Sequence, residues 1–226
     1  MDHVDQALYT HPNLSGGTKR SALKTALIGI ALATLTCFAG SASAQTLFPT
    51  RATDLVPVVG PAGPTHAWIN FCQSHPDECR VDLSQPARIS LNPQVWAALT
   101  QVNKRVNSSI LAVTDQDHWG VLDRWDFPDD GLGDCEDIQL LKRRLLVQAG
   151  LPHRAMRMAA VIDEHGQGHA VLMILTDRGD FILDNKRNAI LPWRRTGYAF
   201  IKREGTNSKA WVALGDQPAP VVTANR

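Results

Sequence analysis

The sequence predicts an α+β fold in which helices come first and an antiparallel sheet follows. Apolar residues recur with helical spacing in the first half of the domain and with a spacing of two after residue 156. The predicted helices cover residues 64–73, 92–107 and 135–149. The predicted strands cover residues 156–162, 169–175, 180–183, 198–202 and 211–214. Helices that precede a set of strands are typical of an α+β domain rather than of alternating parallel units.

The predicted helix that begins at Cys135 has clear signals at both ends. Asp134 is suited to the N-cap position, Glu136 and Asp137 place acid in the first turn, and a glycine and a proline at positions 150 and 152 end the helix. Its apolar positions are Ile138, Leu141, Leu145 and Ala149. The basic run Lys142, Arg143 and Arg144 is predicted to take the exposed face. Backbone N–H groups and the helix dipole at this end favour a cysteine thiolate, which is the reactive form.

Residues 1–44 have the pattern of a secretory signal peptide. Basic residues at positions 19, 20 and 24 precede an apolar run too short to span a membrane, and Ala42-Ser43-Ala44 forms a small-x-small cleavage signal. The mature chain is therefore expected to start near Gln45 and to be periplasmic. We expect an extended leader at 45–63, one domain at 64–214 and a flexible tail at 215–226.

The cysteines support this compartment. Cys37 would leave with the signal peptide, and Cys72 and Cys79 lie close enough in sequence to form one local disulfide in an oxidising environment. Cys135 is then left unpaired. Such a cysteine is either buried and inert or kept free because it reacts, and its place at a helix N-terminus favours reaction.

The charge of the chain gives no basis for binding nucleic acid. Its 226 residues carry a formal net charge of +1. Once the signal peptide is removed, nothing in the sequence predicts stable membrane insertion. Roughly 180 mature residues are enough for a single domain with its own core.

A histidine and an aspartate follow the cysteine on neighbouring predicted strands. If residues 176–179 connect these strands, Leu175 pairs with Asp180, and Asp184 then lies opposite Val171 and diagonal to His169. A carboxylate there can hold the imidazole in one tautomer while its other nitrogen faces Cys135. The pattern predicts a nucleophile, a base and an orienting carboxylate.

Two other histidines are weaker candidates for the base. His165 lies in a predicted turn flanked by glycines, where a solvated side chain is usual. His118 lies in an acid-rich segment, where it could line a cleft or support a metal site. A histidine such as His169 on an apolar strand can also be simply a hydrogen-bonded core residue.

Several motifs together resemble one known family. They are GDCED, LKRR with GLP, GHAVL, DRGDFILDN and ILPW, and the similarity extends over residues 65–212. The chain is similar to the bacterial transglutaminase-like cysteine proteinases, the group that includes the LapG-type periplasmic proteases. The resemblance implies a papain-like/transglutaminase-core fold and a catalytic triad of Cys135, His169 and Asp184.

The resemblance also implies a metal and partners. LapG-type members depend on calcium, which is bound by the acids flanking the cysteine, here Asp134 and Glu136. They cleave a large surface adhesin and are restrained by an inner-membrane receptor that senses cyclic di-GMP. For this chain, a protein or peptide substrate is expected, and such an adhesin and receptor are possible partners.

The residues provide a separate reason for calcium. Two carboxylates beside a cysteine raise its pKa by like-charge repulsion, and a hard cation on Asp134 and Glu136 would offset them. Further ligands are expected from residues 111–126, with Asp115 and Asp123 as candidates. The alternative is that Asp134 only caps the helix and Glu136 only interacts favourably with its dipole.

The sequence therefore predicts a cysteine endopeptidase that works through an acyl-enzyme. The oxyanion would be held by the Cys135 N–H and by a donor from the preceding loop, for which the Trp125 indole is a candidate, although a core tryptophan is an equally good interpretation. A protein transglutaminase or amidase with the same triad is one alternative. A non-catalytic periplasmic binding module is another, although it would have no need for all three groups.

Overall fold

The computed structural model describes residues 48–49 and 54–215, and within them most of the chain is organised around one sheet. The strands are β1 (Val58–Ala62), β2 (Leu111–Ala112), β3 (Leu132–Gly133), β4 (Met156–Ile162), β5 (Gly168–Thr176), β6 (Gly179–Leu183), β7 (Leu191–Pro192), β8 (Ala199–Glu204) and β9 (Trp211–Leu214). The helices are α1 (His66–Ser74), α2 (Pro93–Ser109), α3 (Asp115–Trp119) and α4 (Cys135–Gln148). The predicted signal peptide, the first half of the predicted leader apart from residues 48–49, and the tail after residue 215 lie outside the described residues.

The main sheet of this region has seven strands in the order β1-β9-β8-β4-β5-β6-β7, and every neighbouring pair is antiparallel. The helices precede all of its strands except β1, which confirms the predicted α+β class. β1 comes from the segment assigned to the leader and pairs with β9 at the sheet edge. The sheet thus starts before residue 64.

Local signals place α1 and α2 where the sequence predicts them, whereas the short α3 lies in a segment for which no helix is predicted. The Asn92 side chain accepts a hydrogen bond from Val95 N at 2.8 Å, with Pro93 in the first turn of α2. Thr65 caps α1 through a bond from Trp68 N at 3.1 Å. These caps satisfy N–H groups that no helical carbonyl can reach, so the helices begin at these residues.

The β5–β6 hairpin has the register that its short turn predicts. Leu175 pairs with Asp180, and Leu172 pairs with Leu183. Asp184, which follows β6 directly, is thereby opposite Val171 and diagonal to His169.

Apolar side chains fill both faces of the sheet. One face packs against α1, α2 and α4 through Trp68, Phe71, Trp96, Leu99, Leu140, Leu146, Met158, Leu172 and Ile174, among others. The other face is covered by Val56, Val161, Val171, Met173, Ile182, Tyr198, Phe200 and Leu214, among others. In this way β5 is buried on both sides, and a histidine at its start is held in a rigid setting.

The predicted disulfide is present between Cys72 and Cys79, and Cys135 is the free cysteine of the described residues. A disulfide is typical of proteins that leave the cytoplasm. Among residues 48–49 and 54–215, no helix is long and apolar enough to cross a membrane.

The prediction that the basic run of α4 lies on an exposed face is wrong for two of its three residues. Lys142 and Arg143 are fully buried, and Arg143 donates to Glu204 Oε2 at 2.6 Å. Arg144 is half-buried over the Phe127 ring. The reason is tertiary: α4 packs against both the sheet and α2, so more than one side of the helix is covered.

Lys142 makes a testable contribution to stability. Its Nζ has no hydrogen-bond partner within the described region, and burial lowers its pKa to about 7, against the opposing effect of the Asp184 charge. The unfolded chain, with a lysine pKa of 10.5, binds more protons between these values, so the free energy of unfolding should decrease as pH falls from about 10 to about 7. Lys142→Met should remove this dependence and stabilise the protein at neutral pH by about 1–3 kcal/mol.

Urea unfolding at the two pH values measures both effects. Lys104→Met is the matched control, because Lys104 is exposed on α2. If Lys142→Met is less stable than the parent and keeps the pH dependence, Lys142 is not the residue that lowers the free energy of unfolding at neutral pH.

Candidate active site

Cys135 occupies the first turn of α4 and is almost fully buried, with 1% of its surface exposed. Its sulfur accepts a hydrogen bond from Ala170 N at 3.4 Å, and its thiol donates to Glu136 Oε2 at 3.1 Å. Ala170 follows His169 in β5. The sulfur is therefore adjacent to the backbone that carries the predicted base.

His169 and Asp184 are hydrogen-bonded, as the hairpin register predicts. The distance from His169 Nε2 to Asp184 Oδ1 is 2.9 Å, and both side chains are buried. Burial acts to raise the pKa of Asp184, but hydrogen bonds from His169 and Tyr198 outweigh it and hold that pKa at about 2. Within the described region, His169 Nδ1 has no hydrogen-bond partner. It is the ring nitrogen left for proton exchange.

The segment after β6 is anchored from α2. Asn107 Nδ2 donates to the Asp184 carbonyl at 2.9 Å and to the Arg187 carbonyl at 3.2 Å. Asn103 Nδ2 donates to the carbonyls of Arg187 and Asn188. These bonds restrict the backbone of the segment that carries the Asp184 carboxylate.

The two competing histidines lie in other settings. His118 Nε2 lies 2.9 Å from Asp130 Oδ2, and its ring stacks on Trp119. His165 is exposed in the turn between β4 and β5. Neither shares the buried setting of His169.

Five acidic side chains converge beside Cys135. They form overlapping groups in which the ligand-type atoms lie within 4.8 Å of one another: Asp115, Asp134 and Asp137, then Asp115, Asp123 and Glu136, with Cys135 itself near Asp134 and Glu136. Asp123 is partly exposed, and the other four acids are buried. Such a concentration of like charge away from water is unfavourable unless protons or a cation neutralise it.

A short parallel pairing brings these acids together. β2 runs alongside β3, with Leu111 opposite Leu132, and Val113 N donates to Gly133 O at 3.1 Å. The start of α3, with Asp115, is therefore placed next to the start of α4, with Asp134. Gly133 is needed here, because a Cβ at that position would lie 2.9 Å from Asp137 Cβ.

The carboxylates have strongly raised pKa values. Burial, reinforced by the charges of Asp115 and Asp134, raises the pKa of Asp123 to about 7. Burial is also the main reason that Asp134 has a pKa of about 6 and Asp137 one of about 8. The pKa of Glu136 is raised in the same direction by burial and by Asp134.

The same environment acts on the Cys135 thiol. A helix N-terminus by itself predicts a stabilised thiolate, but burial and the charges of Glu136 and Asp134 raise the pKa of Cys135 well above its usual range. The local dipole effect is thus outweighed by desolvation and like charge, as the flanking acids alone would suggest.

The acid cluster fits a hard cation better than it fits helix capping. Asp134 occupies the N-cap position of α4, yet its side chain makes no capping hydrogen bond. Both of its carboxylate oxygens, with Glu136 Oε1 and Asp123 Oδ1, are buried without a hydrogen-bond partner in residues 48–49 and 54–215. Several convergent carboxylate oxygens are the donor set that Ca²⁺ prefers.

Trp125 lies in the core rather than on an open surface. Its ring is buried and packs edge-on to Trp211, with 6.2 Å between the ring centroids. Its role as an oxyanion donor stays a prediction.

The sequence does not single out two residues that lie close to these groups. The sequence analysis predicts for Asp137 only a place in the first turn of α4, although its spacing of three from Asp134 places both residues on one side of the helix and is a signal of a shared role. Tyr198 donates its hydroxyl to Asp184 Oδ2 at 2.7 Å. No local pattern signals this contact, because the two residues come from separate elements.

A buried cysteine at a helix N-terminus, next to a histidine–aspartate pair on an antiparallel sheet, is the arrangement expected of a cysteine peptidase. The model of the bacterial transglutaminase-like cysteine proteinases matches residues 59–219. The chain belongs to this family and is a cysteine peptidase, which confirms the resemblance seen in its motifs.

Solved structures with similarity to the chain include LapG from Legionella pneumophila. One is 28% identical, with a TM-score of 0.46, over 55% of this chain and 71% of that one. A calcium-bound form is 27% identical, with the same TM-score, over 59% and 76% of the two chains, and an EGTA-treated form has the same two values over 57% and 74%. A comparison with curated protein sequences returned no match.

Proposed function

We propose that this chain is an exported endopeptidase that cleaves proteins through a triad of Cys135, His169 and Asp184. The observation that carries the proposal is the buried 2.9 Å bond between His169 and Asp184, which leaves Nδ1 of the ring free beside the strand that contacts Cys135 Sγ. A histidine that served only the core would be expected to have both nitrogens satisfied.

The residues support acyl transfer in two stages. The Cys135 sulfur attacks the carbonyl carbon of a peptide bond while its proton passes to His169 Nδ1. As the C–N bond breaks, His169 returns that proton to the leaving amine, and a thioester joins the substrate to Cys135. Water, deprotonated by His169, then hydrolyses the thioester and regenerates the thiol. Asp184 keeps the ring in one tautomer and orientation throughout.

Calcium is the proposed cofactor. Asp134 and Glu136 would hold it, together with Asp115, Asp123 and Asp137, whose oxygens converge at the same place. When bound, the ion would neutralise the charge that raises the pKa of Cys135 and would restrain the loop that presents the thiol. The unpartnered oxygens of Asp134 and Glu136 favour this role over simple helix capping.

The substrate is proposed to be an exported or cell-surface protein encountered in the periplasm. The disulfide between Cys72 and Cys79 agrees with that compartment, and the signal peptide at 1–44 is predicted from the sequence. A surface adhesin as substrate and an inner-membrane cyclic di-GMP receptor as a restraining partner are the specific form that family resemblance suggests.

The fate of the acyl-enzyme separates hydrolysis from transglutamination. The mature protein should be incubated in Ca²⁺ with a periplasmic protein extract and a dansylated primary amine, with Cys135→Ala as the control. We expect new N-termini that are absent with Cys135→Ala, and no dansyl incorporation. Dansyl label on glutamine side chains without new N-termini would instead identify a transglutaminase, and identical products from Cys135→Ala would reject the nucleophile.

A further inference from the structure

Tyr198 contacts both members of the histidine–aspartate pair. Its hydroxyl lies 2.7 Å from Asp184 Oδ2, the oxygen that His169 does not use. Its ring stands edge-on to the His169 ring, with 5.7 Å between the centroids and 85° between the planes. One side chain thus limits rotation of the carboxylate and of the imidazole.

Arg187 determines which way the Tyr198 hydroxyl points. Arg187 Nη2 lies 3.1 Å from the Tyr198 oxygen, and a guanidinium can only donate, so the hydroxyl oxygen accepts this bond. The hydroxyl proton is then directed to Asp184, whose ionised form accepts it. The low pKa of Asp184 agrees with this direction of donation.

The arginine is itself held in place. Arg187 Nη2 donates to Glu164 Oε1 at 3.1 Å, its guanidinium lies over the Tyr198 ring, and its Nε is 3.5 Å from Asp184 Oδ2. These contacts connect the turn between β4 and β5 to the segment after β6. The hydrogen bonds therefore run in one direction, from Arg187 to Tyr198 to Asp184.

A residue that only filled the core at this position would not need the Tyr198 hydroxyl. Tyr198 belongs to the apolar cluster on one face of the sheet, where a phenylalanine would fill the same volume. The hydroxyl adds a buried polar group, which is favourable only because it is fully hydrogen-bonded. Its partner is the side chain that orients the proposed base.

We infer that Tyr198 is a positioning residue of the active site: its hydroxyl, oriented by Arg187, holds the Asp184 carboxylate in the rotamer that aligns His169 with Cys135. This inference rests on the proposed triad. The Tyr198 hydroxyl acts through Asp184, and the Tyr198 ring packs edge-on to the His169 imidazole.

The test follows the rate at which iodoacetamide alkylates Cys135 in Ca²⁺ at neutral pH, which needs no known substrate. Tyr198→Phe keeps the ring but removes the hydroxyl, and we expect the rate to fall about tenfold, the effect of one hydrogen bond to a charged group. In an Asp184→Ala background, Tyr198→Phe should change the rate by less than roughly twofold, since both residues act on the orientation of His169. A merely structural effect would add to that of Asp184→Ala.

Trp193→Phe is the matched control, because its indole donates to the Asp54 carbonyl and its ring packs on Phe200, away from the pair. It should leave the rate unchanged. Should Tyr198→Phe fail to fold, Arg187→Met, at a half-buried position, removes both the bond that orients the hydroxyl and the 3.5 Å ion pair with Asp184, and it should also slow alkylation. An unchanged rate in Arg187→Met would then overturn the positioning role.

The outcomes separate this inference from the triad itself. If His169→Ala does not slow alkylation, the proposed base is wrong. If His169→Ala slows it but Tyr198→Phe does not, or if the effects of Tyr198→Phe and Asp184→Ala add, only the positioning role is overturned.

Discussion

His169→Ala is expected to reduce peptide-bond cleavage by about 10²–10⁴-fold, which is the usual contribution of a general acid–base residue. Without the imidazole, the proposed triad loses the base that takes the proton from a thiol whose pKa is raised by burial and by Glu136. The measurement is kcat on the first substrate identified by its new N-terminus. The variant should remain folded, because β5 is secured by backbone pairing on both sides.

Asp184→Ala should have a smaller effect on kcat than His169→Ala, since an imidazole that has lost its orienting carboxylate still reaches the sulfur part of the time. His118→Ala and His165→Ala are the controls, and both should cleave at the parent rate. Unchanged cleavage by His169→Ala, combined with its loss in His118→Ala, would move the base to His118.

Removal of calcium with EGTA is expected to abolish cleavage and to lower the melting temperature by about 5–10 °C. The shift corresponds to an ion at about a hundred times its Kd, which stabilises the folded state by about 2.7 kcal/mol in a domain of this size. The physical reason is the buried acid cluster, in which four carboxylate oxygens of the described residues have no hydrogen-bond partner. Thermal unfolding with added Ca²⁺ and with EGTA provides the measurement.

Asp134→Ala and Glu136→Ala should each remove most of the calcium-dependent shift, because an ion that needs about six to eight oxygens loses one or two of them. Asp77→Ala, at an exposed position in the disulfide loop, is the matched control and should retain the full shift. Calcium should also speed alkylation of Cys135 by offsetting the charges that raise its pKa. If EGTA changes neither activity nor melting temperature, Asp134 and Glu136 have no metal to hold.

The elements of the fold follow from local signals that the sequence carries openly. The caps at Thr65 and Asn92, the helical spacing after Asp134 and the alternation after residue 156 place three helices and most strands close to where they lie. The register of β5 and β6 is also local, because a short turn leaves few ways to pair two strands. For the same reason, the proximity of His169 to Asp184 could be predicted from spacing alone.

Tertiary packing determines which charged side chains are buried and which distant segments come into contact. Local patterns in the sequence are enough to predict a cysteine at a helix N-terminus, a histidine and an aspartate on adjacent strands, and acids beside the cysteine. Only the fold decided that Lys142 and Arg143 are buried, because both the sheet and α2 cover α4. The pairing of β2 with β3 decided that Asp115 joins Asp134, and the return of β8 to the sheet decided that Tyr198 reaches Asp184. Desolvation is set by everything that surrounds a group, so the raised pKa of Cys135 depended on the complete structure.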